Sequence, residues 1–204
     1  MFAFIKNWQK SANISKLKDK DYSFLFDEDK SGEYVVFDTE TTGLNPKVDD
    51  IISIGAVKIK DNKIITSDTF EVFVKSNSEI NPKSIEIHQI RNCDLELALD
   101  IDDAIKQFLN FIGSKPIIGY YLEFDIAMIN KYVKPLLGVK LPNRAIEVSE
   151  IYFDKTIALI PQGNIDLRFD TILSKCGVPD MGAHNAVNDA IMTAMIYLKL
   201  TQTK

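Results

Sequence analysis

Apolar and polar positions change rhythm several times along this chain, and each change marks an element. Residues 33–39 form a β-branched and aromatic run that reads as a buried strand. Ile51 to Ile59 predicts a second strand. Asp61-Asn62 then sits where a tight turn would lead into a third, from Ile64 to Val74, which is a hairpin signature. Asn81-Pro82 opens a short helix that runs through His88. Apolar residues at 95, 97, 101, 105, 108, 109 and 112 predict a helix from Leu95 to Ile112 with one buried face. Pro116 to Tyr120 reads as a short buried strand and Leu122 to Val133 as a helix. Ile146–Ile160 and Asp166–Cys176 read as helices. The first of them can begin as a strand, and Gly177 is placed to close the second. The last helix, about 185–201, carries Ala186, Ala190 and Ala194, small residues that let it approach a sheet closely.

An antiparallel hairpin unit followed by helices alternating with short strands predicts an α/β fold, with a mixed sheet and helices on both faces. In such sheets ligands gather near strand ends, where the strand order reverses. Residues 1–30 differ from this pattern. Lys6, Lys10, Lys16, Lys18 and Lys20 alternate with Phe4, Ile5, Trp8, Ile14 and Leu17, so the segment predicts an amphipathic helical arm ahead of a domain spanning 31–204. Such an arm would pack on its own domain, dock a partner or contact nucleic acid.

Composition narrows the class. Hydrophobic residues are 46% and charged residues 26% of the 204, which suits a globular protein with a core. No apolar run approaches the roughly 20 residues of a membrane span, so no membrane partner is expected. The apolar start Met1-Phe2-Ala3-Phe4-Ile5 meets Lys6 at once, too short for the apolar region of a signal peptide. Cys93 and Cys176 give neither a disulfide framework nor metal-ligand spacing, and a reducing cytoplasm is the expected location. The net charge of -5 argues against a generic nucleic-acid binder but not against an enzyme whose bound metals cancel part of its acidity.

The candidate chemistry begins where the first strand ends. In Tyr34-Val35-Val36-Phe37-Asp38-Thr39-Glu40-Thr41-Thr42-Gly43, Asp38 and Glu40 are two apart and point to the same side of a strand. Two acids side by side at the edge of a core repel each other and lose hydration, and a divalent cation is the simplest thing that makes the pair favourable. Asp125 lies in the first turn of the helix after the fourth strand. Asp189 lies one turn inside the last helix among alanines, with Asn185 as its cap and His184 just outside. Glu123 adds an acid nearby.

In this order the motifs resemble those of the DnaQ-like 3′–5′ exonucleases, in the histidine branch named for its Asp-Glu-Asp-Asp carboxylates. The likeness spans about 33–201. Asp38-Thr39-Glu40-Thr41-Thr42-Gly43-Leu44 is similar to the first motif, Phe124-Asp125 to the second, and His184, Asn185, Ala186 and Asp189 to the third. The resemblance implies an RNase H-like exonuclease fold with a mixed five-stranded sheet. It implies that Asp38, Glu40, Asp125 and Asp189 hold two Mg²⁺ or Mn²⁺ ions and that His184 is the general base. It also implies that the turn Thr41-Thr42-Gly43 holds the terminal nucleotide, with Leu44 wedged against its base, Phe124 on the sugar or base, and Ile87 and His88 lining the same pocket. Two departures stand out. Tyr120 and Tyr121 occupy the places where relatives often carry His-Asn, and Tyr121 is a candidate base contact. Ser149 stands where relatives often place an aspartate.

The function so implied is hydrolysis of the 3′ end of single-stranded DNA to nucleoside 5′-monophosphates, in proofreading or repair, beside a DNA polymerase subunit docked through the arm. Polymerase III epsilon-type proofreading subunits look most similar. The alternatives are the same chemistry on RNA, as in RNase T or oligoribonuclease relatives, and a noncatalytic nucleic-acid-binding module.

Overall fold

A computed structural model describes residues 13–76, 78, 80–159, 164–182 and 184–202. Among these residues five strands form one sheet in the order β3-β2-β1-β4-β5. Strands β1 (Tyr34–Thr41), β2 (Ile51–Lys60) and β3 (Lys63–Phe73) are antiparallel neighbours. Strands β4 (Ile117–Gly119) and β5 (Ala145–Glu147) add in parallel on the other side of β1. The β2–β3 turn forms at Asp61 and Asn62, which both take positive φ (48° and 59°), as a two-residue turn of primed type demands.

Among the described residues six α-helices follow or interleave with the strands: α1 (Pro82–His88), α2 (Ile101–Ile112), α3 (Leu122–Leu137), α4 (Val148–Leu159), α5 (Phe169–Lys175) and α6 (Ala186–Gln202). They cover both faces of the sheet, as the alternation along β1 requires. Val35 and Phe37 face one core with Phe108 and Leu109 of α2 and Met128, Ile129 and Val133 of α3. Val36 faces the other with Tyr152 of α4, Ile172 of α5, and Ala190 and Ala194 of α6. Among the described residues no helix is long and apolar enough to cross a membrane.

Of the arm expected over 1–30, residues 1–12 lie outside the described residues. Leu17, together with Leu25 and Phe26 of a 3₁₀ helix at Lys20–Phe26, is buried in the first core.

Three helix boundaries differ from the sequence reading by three residues or more. The helix expected over Leu95–Ile112 begins only at Ile101, preceded by a 3₁₀ turn at Asn92–Leu95. Sheet pairing claims the backbone between them: the Leu99 N–H donates to Phe73 O at 3.0 Å, and the Lys75 N–H to Leu99 O at 2.9 Å. The apolar Leu97, which the helical pattern counted as buried, is fully exposed. Helix α5 starts at Phe169 rather than Asp166, because the Asp166 carboxylate accepts from the Arg168 N–H at 3.0 Å and the Thr171 hydroxyl at 2.9 Å and so holds residues 166–168 ahead of the first turn. At the other end of α5 the Gly177 N–H bonds Ser174 O and the Val178 N–H bonds Leu173 O, the closure expected of a glycine after a last turn. Helix α3 runs past Val133 to Leu137 and stops at Gly138, whose φ is 78°.

The contact that places α6 is made by Gly55 of β2. It pairs with Asp38 of β1, and a Cβ on Gly55 would collide with the backbone of Ala186 and Val187. Ala186 is itself buried. Helix α6 therefore lies with its first turn directly on the sheet beside Asp38, backbone against backbone.

Gly55→Ala should force that turn outward. The expected cost is about 3 kcal/mol, the upper end for overpacking a tight contact, read by denaturant unfolding. A loss under about 0.5 kcal/mol, within the range of ordinary surface changes, would show that the approach is not constrained.

Candidate active site

Strand β4 is only three residues long and pairs with β1 at Val35 and Val36. The second half of β1 therefore runs on with one edge unpaired, at the point where the antiparallel and parallel halves of the sheet meet. Helix α3 fills that edge. Asp125 Oδ1 accepts the Thr39 backbone N–H at 3.0 Å and the Thr39 hydroxyl at 2.6 Å. Asp38 and Glu40 alternate to the opposite face of β1, where α6 lies. There Asp38, Glu40 and Asp189 each present a carboxylate oxygen, and these atoms all lie within 4.8 Å of one another. Asp125 stands outside this triad but lines the same cleft, as does His184.

Burial sets the electrostatics. Desolvation pushes Asp38 well above the ordinary carboxylate range, helped by the charges of Asp125, Glu40 and Asp189. Glu40 is pushed up to about 7 by burial, then by Asp189 and Asp125. Asp125 also rises to about 7 through burial, against the two Thr39 bonds that favour its charged form. Asp189 rises to about 6 by burial, opposed by the His184 backbone N–H, which donates to its Oδ2 at 2.9 Å. Its other oxygen, Oδ1, is buried without a hydrogen-bond partner. Such a group costs free energy unless something supplies a positive charge. Clustered hard oxygen donors with one buried orphan fit a divalent cation.

The cleft encloses about 610 Å³. Thr41, Gly43, Leu44, His88, Tyr121 and Phe124 line it, and Leu44 is 85% exposed. Tyr121 and Phe124 stack with ring centroids 6.2 Å apart and planes 16° from parallel. Thr42 does not line the cleft. It is buried, and its N–H donates to Asp50 O at 2.9 Å while its hydroxyl accepts the Asp50 N–H. Thr42 thus locks the turn from behind. His88 lines the cleft from a buried position. Its Nδ1 accepts the Ile90 N–H, and burial holds its pKa below the ordinary value. Ile87 lies on α1, but its side chain is outside the described residues. His184 is exposed, with φ of 70°, directly before α6. Asn185 caps that helix by accepting the Asn188 N–H.

Other contributors went unnoticed in the sequence. Glu147, at the end of β5, accepts N–H groups from Tyr121 (3.2 Å) and Leu122 (2.7 Å). Tyr121 precedes α3 in the left-handed region (φ 54°) and offers no side-chain cap, so Glu147 supplies it from another strand. Ser149 serves the same carboxylate through its N–H and hydroxyl. Asp50 accepts from Lys131 at 2.8 Å and Tyr132 at 2.9 Å, tying the loop after the Thr41–Gly43 turn to α3. Asn81, Lys83 and Ser84 of the α1 start also reach the cleft. The one signal that could have found Gly55 is a lone glycine inside an apolar strand.

A family profile described as Exonuclease matches residues 35–197. The DNA polymerase III PolC-type of Thermotoga maritima is 33% identical over 183 residues, 87% of this chain and 13% of that protein. The DNA polymerase III subunit epsilon of Aquifex aeolicus is 28% identical over 171 residues, 84% of this chain and 81% of the subunit. The chain thus spans about an eighth of the length of the PolC-type relatives it matches. Among solved structures, E. coli exonuclease I in complex with a dA16 oligonucleotide superposes with a TM-score of 0.71 at 15% identity, covering 84% of this chain and 41% of that one. Cell-death related nuclease 4 gives a TM-score of 0.71 at 16% identity, covering 84% of this chain and 64% of that one. At these identities the likeness is of fold, and it is the RNase H-like exonuclease fold expected from the motifs.

The raised carboxylates make stability depend on pH with a definite sign. Their folded pKa values, near 6 to 7, lie above the unfolded values near 4. The folded state therefore holds more protons between these limits, and the stability they contribute is lost as pH rises through them. Metal-free protein should melt at lower temperature at pH 8 than at pH 5, and Mg²⁺ or Mn²⁺ should raise the pH 8 value far more than the pH 5 value. Equal metal effects at both pH values would show that these carboxylates are not where the cation binds.

Proposed function

The chain belongs to the RNase T family of DnaQ-like exonucleases, and we propose that it removes nucleotides from the 3′ end of single-stranded DNA in a metal-dependent reaction, releasing nucleoside 5′-monophosphates. One observation carries the reading: Asp38, Glu40 and Asp189 bring their oxygens within 4.8 Å of one another in a cleft that Asp125 and His184 also line. Two Mg²⁺ or Mn²⁺ ions held by Asp38, Glu40, Asp125 and Asp189 would supply charge relief on the phosphate and a more acidic attacking water.

The protein's own groups do the rest. Thr39 holds Asp125 by one oxygen, so its other oxygen is directed by two fixed bonds. The His184 N–H orients Asp189 in the same way and leaves the buried Oδ1 for the cation. The imidazole of His184 accepts the proton of the attacking water, the general-base role that histidine fills most often. The turn at Thr41–Gly43 and the side chains of Leu44, His88, Tyr121 and Phe124 hold the terminal nucleoside. Aromatic contacts of this kind are tolerant of sequence. Relatives named as polymerase III proteins, and a structural neighbour solved with dA16, support DNA as substrate and work beside a polymerase. In that setting the arm at 1–30 would be the docking segment.

The test is digestion of matched labelled DNA and RNA oligomers with Mg²⁺ or Mn²⁺. Mononucleotide release from the DNA 3′ end is expected, and a folded protein inert on both would sink the proposal. Asp189→Asn should abolish turnover. His184→Ala should slow it by about 10²–10⁴-fold, the range for loss of a general base, with cation binding by calorimetry retained. Wild-type turnover in His184→Ala would remove the histidine from the mechanism.

A further inference from the structure

We propose that the strand upstream of the scissile bond leaves the cleft over α1, with Lys83 holding one of its backbone phosphates. The inference rests on the nuclease reading above and adds the direction in which the substrate lies. Among the described residues lining the cleft, Lys83 is the only lysine or arginine. Its side chain is exposed, and none of the ion pairs among the described residues uses it.

Its backbone is fixed relative to the catalytic turn. The Asn81 N–H and the Ser84 hydroxyl both donate to Thr42 O at 3.2 Å, and the Lys83 N–H donates to Asn81 Oδ1 at 3.0 Å. The ammonium therefore rides on a segment hooked to the turn that faces the terminal nucleotide. A neighbouring hollow that shares Tyr121 with the cleft has the reverse charge. Beyond Tyr121 lies a second hollow of about 510 Å³, lined by Glu123, Glu147 and Glu150. A strand carrying one negative charge per nucleotide is repelled by three carboxylates within a Debye length of about 8–10 Å. On the Lys83 side it meets a point charge that binds phosphate without reading sequence. In a chain of net charge -5, the siting of one unpaired cation in the cleft decides between the two paths.

The experiment compares two substrates: a single-stranded DNA oligomer, and the p-nitrophenyl ester of thymidine 5′-monophosphate, which engages the terminal nucleotide alone. For the oligomer, Lys83→Ala should make the slope of log(kcat/KM) against log[KCl] shallower by about 0.7, the increment for one phosphate contact on a single strand. The ratio of kcat/KM on oligomer to that on ester should fall, and Lys83→Arg should restore both slope and ratio. An unchanged slope with wild-type enzyme active on both substrates would overturn the assignment to Lys83 alone, as would an equal loss on oligomer and ester. A folded wild-type protein inert on both substrates would refute the reading as a DNA exonuclease, and this inference with it.

Discussion

Carboxylates forced together at the edge of a core are the constraint on which this structure turns. Four of them line one cleft, three with oxygens within 4.8 Å. Burial raises the pKa of all four, and mutual repulsion adds to it at Asp38 and Glu40. Replacing such a cluster with apolar groups would stabilise a protein that had no other use for it. Its presence identifies a place where stability has been given up for binding, which is the usual signature of a functional site. A divalent cation reverses the balance, because it converts repulsion among acids into attraction for a shared centre.

The fold makes that cluster by controlling where strands stop and how near a helix can come. Because β4 ends early, β1 has an unpaired N–H at Thr39, and Asp125 satisfies it. Because Gly55 has no Cβ, the first turn of α6 reaches the sheet and sets Asp189 over Asp38 and Glu40. Because Glu147 caps α3 from β5, the residues leading to Asp125 start the helix without a capping side chain of their own. Each device is remote from the reaction, yet each fixes the position of a carboxylate. Asp50 does the same for the turn, holding it to α3 through Lys131 and Tyr132.

Much of this was legible in the sequence, and what was not has a common cause. Strand β1, the hairpin and the alanine stripe of α6 follow from local periodicity, which needs no knowledge of the partner. So does the shared face of Asp38 and Glu40. The residues near Leu99 failed because the sheet claimed their backbone, a long-range event that helical spacing cannot register. Thr42 was read as a nucleotide contact from its place in a motif, whereas its N–H is spent on Asp50, eight residues further on. Gly55 showed only as a lone glycine inside an apolar strand, and Glu147 was invisible for the same reason. Their roles exist only against α6 and α3, elements far from them in the chain. Tyr120 was one of two tyrosines set against an expected His-Asn pair. It places its hydroxyl on Leu167 O at 2.9 Å and its ring against Phe169, so one of the two serves as a wall.

The contrast between Asp189 and His184 bears on how such a site works. The two are coupled through the backbone, since the His184 N–H is the hydrogen bond that orients Asp189. His184 holds a left-handed conformation unusual for a residue with a side chain, and that conformation puts its N–H on the carboxylate while the imidazole stays exposed. A cation ligand must be fixed before the substrate arrives, because its geometry defines where the phosphate sits. A general base must reach the water only in the reacting complex, and distances in the free protein can be long without penalty. In the mechanism proposed above, His184 would satisfy both demands by dividing them between its main chain and its side chain. The strained backbone is thus the price of rigidity at the carboxylate with freedom at the ring.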